Sequence, residues 1–172
     1  MDNWVKQGKI NIVMGNEYLH FPYTKQNLTN KKELNNWRNQ GYTHDTFLGA
    51  LYNSKNPMPE WVEDVSNELG LTHCGYTFYK MVQLEIMPPH IDHFQTYCKR
   101  FKLERSIDRV CRAIIFIEDW KPGHYFEAEG KAIVNWKRGD YVIYSTDVEH
   151  AASNIGIEPR YTLQITGLWT KK

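Results

Sequence analysis

The sequence predicts a mainly β fold with N-terminal helices, and three observations lead there. The first ~70 residues are mixed, with two helical patterns ending at Gly70, and the hydrophobic period becomes two from Tyr76 onward. The stretches with period two are short, β-branched and aromatic, and turn residues separate them. Helices followed by a run of short strands indicate an α+β or all-β chain with helical cover. Strands this numerous and short must close into a barrel or stack as a sandwich to hide their edges.

Composition agrees with one packed domain over residues 1–172. Aromatic residues make up 14 %, which argues for a packed core and against disorder. The 21 basic and 20 acidic residues leave a formal charge of +1, so no field is available to hold nucleic acid or an anionic membrane. No stretch approaches the ~18 apolar residues of a membrane span. The opening "MDNWVKQGKINIVMG" lacks a signal peptide's basic-then-apolar pattern, so a soluble cytoplasmic protein is expected. Cys74, Cys98 and Cys111 stand far apart with no CxxC, which predicts reduced thiols and neither a disulfide framework nor a zinc knuckle.

Taken in order, "KINIVMG" reads as a short strand. "LTNKKELNNWRNQG" reads as a helix capped by Thr29, with Leu34 and Trp37 three apart and Gly41 closing it. "NPMPEWVEDVSNELG" reads as a second helix, with Pro59 at its start and an apolar stripe of Trp61, Val62, Val65 and Leu69. Gly70 can end it in the left-handed conformation. The barrel core is expected over 76–169, from the strands "YTFYKMVQLEIM", "CRAIIFIEDW", "KAIVNW", "DYVIYS" and "RYTLQITGLW". Residues 1–75 then provide the helical cover and the short strand. The breaks "KPGHY" and "KRGD" carry the turn residues.

The last strand places Arg160, Thr162, Gln164 and Thr166 on one face and Tyr161, Leu163 and Ile165 on the other. The first strand of the core repeats the split, with Tyr79, Met81, Gln83 and Glu85 together. Such a polar face either meets water or lines a barrel interior that holds a charged ligand.

The chemistry centres on "MPPHIDHF". His90 and Asp92 are two apart, so on an extended backbone both side chains reach one face and one ion. The third ligand is expected from His150, and Arg160 follows ten residues later. Two imidazoles and one carboxylate occupy one face of an octahedron and leave three positions open, the facial triad of non-heme Fe(II) oxygen chemistry. An open-sited iron needs an electron-supplying co-substrate, and a 2-oxo acid chelates it while leaving one site for O2. The far carboxylate of that acid needs a buried cation, for which Arg160 offers a planar bidentate partner and Thr162 an adjacent hydroxyl.

These positions resemble the HxD…H…R signature of the Fe(II)/2-oxoglutarate-dependent oxygenases, and "RYT" resembles the Arg-x-Ser/Thr pair of many members. Residues 76–169 look like the small oxygenases of bacteriophages and bacteria, including prolyl-hydroxylase-like proteins. The resemblance implies a double-stranded β-helix, a distorted jelly-roll barrel with N-terminal helices on its larger sheet. It implies Fe(II) at His90, Asp92 and His150, and 2-oxoglutarate at Arg160 and Thr162. Tyr79 is the candidate for the tyrosine that such enzymes place against 2-oxoglutarate, with Gln83 as its rival. The chain departs from the prolyl-hydroxylase-like pattern at "PGHYFE" and at Arg160, where many of those enzymes have Lys. The implied reaction is hydroxylation of a peptide side chain, a free amino acid or another small metabolite, with release of succinate and CO2. The rival reading is a cupin-like metal-binding jelly roll without redox chemistry, an isomerase or a sugar-binding module. Arg160 and Thr162 facing inward discriminate between the two.

Other residues are read more plainly. His93 points away from His90 on a strand and is expected at the surface or behind the ligands. His124, in its turn, either touches substrate or belongs to the loop. Trp120 and Tyr125 either line a pocket or pack at the rim. Arg112 is costly to bury alone and is expected to face the interior and touch ligand. Asn154 serves the turn before Gly156. His20, His44 and His73 have no partners in the sequence.

Overall fold

The computed structural model describes residues 4–28, 30–42, 48–103 and 110–170. In chain order the elements begin with β1 (Val5–Lys9), a single 3-10 turn (Glu17–His20), β2 (Thr24–Lys25), α1 (Lys31–Asn39), β3 (Ala50–Asn53) and α2 (Trp61–Leu69). There follow β4 (Leu71–Met81), β5 (Glu85–Ile91), α3 (Gln95–Phe101), β6 (Val110–Phe116) and β7 (His124–Ala128). The chain closes with β8 (Lys131–Ile133), β9 (Asp140–Ser145), β10 (Glu149–Asn154) and β11 (Arg160–Trp169).

Two antiparallel sheets result. The larger runs β1-β9-β6-β11-β4-β3-β2 and the smaller β5-β10-β7-β8. The alternation in β11 does what the sequence suggested. Tyr161, Leu163 and Ile165 join the core on the outer face of the large sheet, where α2 contributes Trp61, Val62, Val65 and Leu69. Arg160, Thr162 and Gln164 line a cavity on the inner face. A second apolar cluster, including Ile114, Phe116, Phe126 and Trp136, bridges the two sheets beside that cavity. Burying either helix or sheet face alone would leave apolar stripes in water, so this layering is the stable arrangement.

Gly70 ends α2 at φ 70°, with its N–H on Asn67 and Ser66 carbonyls. Pro59 stands two residues ahead of that helix and not in its first turn. α1 is capped by Asn30, whose Oδ1 accepts from the N–H groups of Lys32 and Glu33 at 3.1 and 3.3 Å. The caps expected at Thr29, and His44, lie outside the described residues. α1 does not sit on the large sheet. Its buried Trp37 donates from Nε1 to the Pro89 carbonyl at 3.1 Å, which docks the helix beside the β5 end of the cavity.

Several sequence expectations shift. In "KINIVMG" Lys9 alone is in a strand, the end of Val5–Lys9 paired with β9, and residues 10–15 are irregular. The N-terminal segment thus supplies β1, β2 and β3 to the larger sheet and is more than helical cover. "YTFYKMVQLEIM" is two strands, because Val82–Leu84 turn the chain and Leu84 takes φ 67°. Helix α3 carries no cap signal and was not expected. Both of its ends use left-handed residues other than glycine, Phe94 at φ 45° and Lys102 at φ 54°.

Candidate metal centre

His90 and Asp92 come from the end of β5, and His150 from β10. The two strands pair so that His150 stands directly across from His90. A β-bulge between His150 and Ala152 adjusts the register there. One ligand atom from each of His90, Asp92 and His150 lies within 4.8 Å of the others. His150 Nε2 is 3.5 Å from Asp92 Oδ2, and His90 Nε2 is 4.0 Å from Asp92 Oδ1.

Each imidazole is aimed from behind. His90 Nδ1 lies 2.8 Å from the Pro88 carbonyl and His150 Nδ1 lies 3.1 Å from that of Val148. A carbonyl can only accept, so each Nδ1 carries a proton and each Nε2 is the ring nitrogen that faces the carboxylate. That is the arrangement of metal-ligating histidines. Trp37 meets the His90 ring edge-on at 6.0 Å and Tyr144 lies 4.8 Å from the His150 ring, which fixes both rings laterally. Burial, then the neighbouring His90, lower the His150 pKa to about 4, so it stays neutral and able to ligate. Burial pushes the Asp92 carboxyl up, but Arg112, His150 and His90 outweigh it and hold the group below its usual range. Arg112 Nη1 lies 3.0 Å from Asp92 Oδ2 without the alignment of a hydrogen bond, and that buried oxygen makes none. Two imidazole nitrogens and one ionised carboxylate with a spare lone pair suit a divalent transition-metal ion.

The same cavity, of about 470 Å³, holds Arg160 and Thr162. Arg160 is 2 % exposed, and no carboxylate pairs with it among the described residues. Its Nη1 meets the Met81 sulfur at 3.5 Å, while the guanidinium lies over the Trp136 ring at 5.5 Å. Burial lowers its pKa to about 10. Arg160 Nε and Thr162 Oγ1 are both buried without a hydrogen bond. Buried donors beside a buried cation are costly to leave unmade, so this end of the cavity is built for an anion.

Tyr79 stands opposite Thr162 in the β4–β11 register and lines the cavity. Its hydroxyl donates to Gln26 Oε1 at 2.7 Å and accepts from the Gly49 N–H at 3.0 Å. Gln83, its rival, sits exposed in the turn after β4 and does not line the cavity. His93 is exposed at the mouth. His124 is 3 % exposed, closes the Lys121–His124 turn through its N–H on the Lys121 carbonyl at 3.0 Å and opens β7; its Nε2 meets the Glu158 carbonyl at 3.0 Å, and it does not line the cavity. Trp120 donates to the His124 carbonyl at 2.8 Å and packs on the inter-sheet cluster, and Tyr125 pairs with Glu127.

Three contributors escaped the sequence. Trp37 read only as a helix stripe, Trp136 as part of a strand and Tyr144 as one aromatic in an apolar run. Asn154 does more than serve a turn. It is fully buried, and Nδ2 donates to the Met81 and Glu158 carbonyls at 3.0 and 2.8 Å while Oδ1 accepts from Gly156 N–H at 2.9 Å. Those bonds fix the residue opposite Arg160 and the segment leading into it. Gly156 is required there, because a Cβ would stand 2.0 Å from the Pro122 carbonyl oxygen.

No protein-family model matches the sequence, and no curated protein matches it. Among solved structures, the chain is similar to a prolyl-4-hydroxylase from Pseudomonas putida, with 14 % identity, a TM-score of 0.53 and coverage of 89 % of this chain and 95 % of that one. It is also similar to the non-heme alpha-ketoglutarate-dependent carbocyclase SnoK from nogalamycin biosynthesis, at 11 % identity and a TM-score of 0.55, covering 83 % of this chain and 77 % of that one. The fold is a double-stranded β-helix. A cupin from Bacteroides fragilis overlaps less, with a TM-score of 0.41 at 13 % identity over 63 % of this chain and 76 % of that one. Among the described residues, no helix is long and apolar enough to cross a membrane.

Proposed function

We propose that the protein is a non-heme iron, 2-oxoglutarate-dependent oxygenase, most simply a hydroxylase of a small molecule or a peptide side chain. The observation that carries this reading is the unpaired, buried Arg160 with its bare Nε and the bare Thr162 hydroxyl, in one cavity with His90, Asp92 and His150. A jelly roll that only held a metal or a sugar has no need of that buried cation.

In this reading His90, Asp92 and His150 hold Fe(II), and the carbonyls of Pro88 and Val148 keep both imidazoles in the ligating tautomer. Arg160 and Thr162 take the distal carboxylate of 2-oxoglutarate. Tyr79 walls that end, its hydroxyl proton already committed to Gln26. Iron, 2-oxoglutarate and O2 together supply the oxidation, with succinate and CO2 as co-products. The protein's share is to hold the diacid in one orientation, to keep water from the closed end and to present the substrate at the open one.

The test is spectroscopic. Anaerobic protein mixed with Fe(II) and 2-oxoglutarate should develop a coloured charge-transfer band, and turnover should yield succinate. No band and no 2-oxoglutarate binding would remove the oxygenase and leave the cupin-like reading.

A further inference from the structure

The cavity holds a second guanidinium and hydroxyl on neighbouring strands, Arg112 and Tyr144, besides Arg160 and Thr162. Arg112 on β6 and Tyr144 on β9 are direct cross-strand partners, so both side chains emerge on the cavity face of the large sheet. Tyr144 is fully buried, and its hydroxyl makes no hydrogen bond. Arg112 Nε is likewise buried without one. Its Nη1 touches Asp92 Oδ2 at 3.0 Å and Gln164 Oε1 at 3.4 Å, and its guanidinium lies over the Phe94 ring at 5.1 Å. As at Arg160 and Thr162, a guanidinium with a bare Nε stands beside a bare hydroxyl, but here the guanidinium already faces one carboxylate, that of Asp92.

The two pairs sit at opposite ends. Thr162 pairs with Phe116 and Thr166 with Arg112, so four residues of strand, roughly 13 Å, separate them along β6. Arg160 stays at its own end, against Met81. The two carboxyl carbons of a five-carbon diacid are at most about 6 Å apart, from four bonds of about 1.5 Å. A diacid seated on Arg160 spans less than half of that backbone distance and its near carboxyl goes to the metal ligands, so what marks Arg112 for another molecule is its own bare Nε and the bare Tyr144 hydroxyl beside it. Arg112 lies at the end where Asp92 sits and where Ile91 and His93 are exposed.

We infer that Arg112 and Tyr144 bind the carboxylate of the substrate, so that the substrate is a small carboxylic acid of the amino-acid class, anchored by its acid group beside the metal ligands. The inference rests on the oxygenase reading for the identity of the other ligand, but the site is defined by its own residues. Arg112 keeps one nitrogen on Asp92 and offers the remaining N–H groups to the substrate, and Tyr144 adds a hydroxyl donor. A guanidinium–carboxylate contact is charge-assisted, and leaving the guanidinium facing a neutral amide forfeits most of it.

The test uses the full-length protein loaded with Zn(II), which does not turn over, and saturated with 2-oxoglutarate. The twenty L-α-amino acids and their matched α-carboxamides are titrated by calorimetry. At least one acid should bind, with its amide at least tenfold weaker. Arg112→Gln should erase that difference, and Tyr144→Phe, which keeps the ring, should weaken the acid about three- to tenfold. Both variants are also titrated with Fe(II) and 2-oxoglutarate, because Arg112 faces Asp92 and Tyr144 the His150 ring; a retained band assigns the lost acid preference to the carboxylate site. Acids and amides that bind alike, or no binding by either, overturn the inference, as would occur for a peptide substrate; so does an acid preference that survives Arg112→Gln. If the variants lose the band as well, Arg112 acts only by holding Asp92, and the inference falls. If the unaltered protein shows no band yet prefers the acid, the oxygenase reading fails and the carboxylate site stands.

Discussion

Removing the Arg160 charge should make the ligand-free protein more stable and the liganded protein useless. Arg160→Met replaces the guanidinium with an apolar chain against Met81 and Trp136. The native cation is fully buried, and its pKa falls to about 10. Against an ordinary value near 12.5, that drop corresponds to about 3 kcal/mol of unfavourable burial. Relief of even part of it should raise Tm by several degrees, at roughly 2–4 °C per kcal/mol for a chain of this size. If Arg160 takes the distal carboxylate of 2-oxoglutarate as proposed, the same change deletes its partner, at a cost of about 2–5 kcal/mol. With tenfold per 1.4 kcal/mol, 2-oxoglutarate affinity should fall by roughly 30-fold to several thousandfold. The assay pairs thermal unfolding of metal-free protein with a 2-oxoglutarate titration of the Fe(II) or Zn(II) form. A variant that is less stable and still binds 2-oxoglutarate normally would refute the reasoning, because the guanidinium would then be a structural group satisfied by its surroundings.

Other consequences can be checked alongside. His150→Ala should abolish 2-oxoglutarate-dependent succinate formation while the protein still folds, and full turnover by that variant would remove the ligand assignment. Metal-free protein should lose stability as pH falls from about 6.5 to about 4, because His150 binds its proton less readily folded than unfolded. The depressed Asp92 carboxyl acts in the same direction at lower pH, and thermal melts of the native chain against His150→Gln should show the His150 part disappear. Asn154→Ala should cost about 2–4 kcal/mol, since it leaves the Met81 and Glu158 carbonyls and the Gly156 N–H without their partner. Because those bonds lead into Arg160, its 2-oxoglutarate dissociation constant should rise as well. Trp37→Ala should cost about 3–5 kcal/mol in chemical denaturation and weaken metal binding, because the indole both fills the α1 contact and bounds the His90 ring.

The sequence alone determined the parts that depend on short-range geometry. A spacing of two on an extended chain puts His90 and Asp92 on one face wherever the strand goes, and alternation along β11 separates Arg160, Thr162 and Gln164 from Tyr161, Leu163 and Ile165. Turn chemistry and helix stripes likewise located α2 and most strands of the barrel. Only the tertiary structure decided what faces those side chains. Gln83 shares its alternation with Tyr79, yet a left-handed turn at Leu84 takes it out into solvent. Tyr144 sits in an apolar run with no polar period to mark it, and becomes part of a site because β9 pairs with β6 in the register that sets it beside Arg112. Whether a buried cation is satisfied, and by what, depends on atoms brought together from distant segments, and no local pattern encodes that sum.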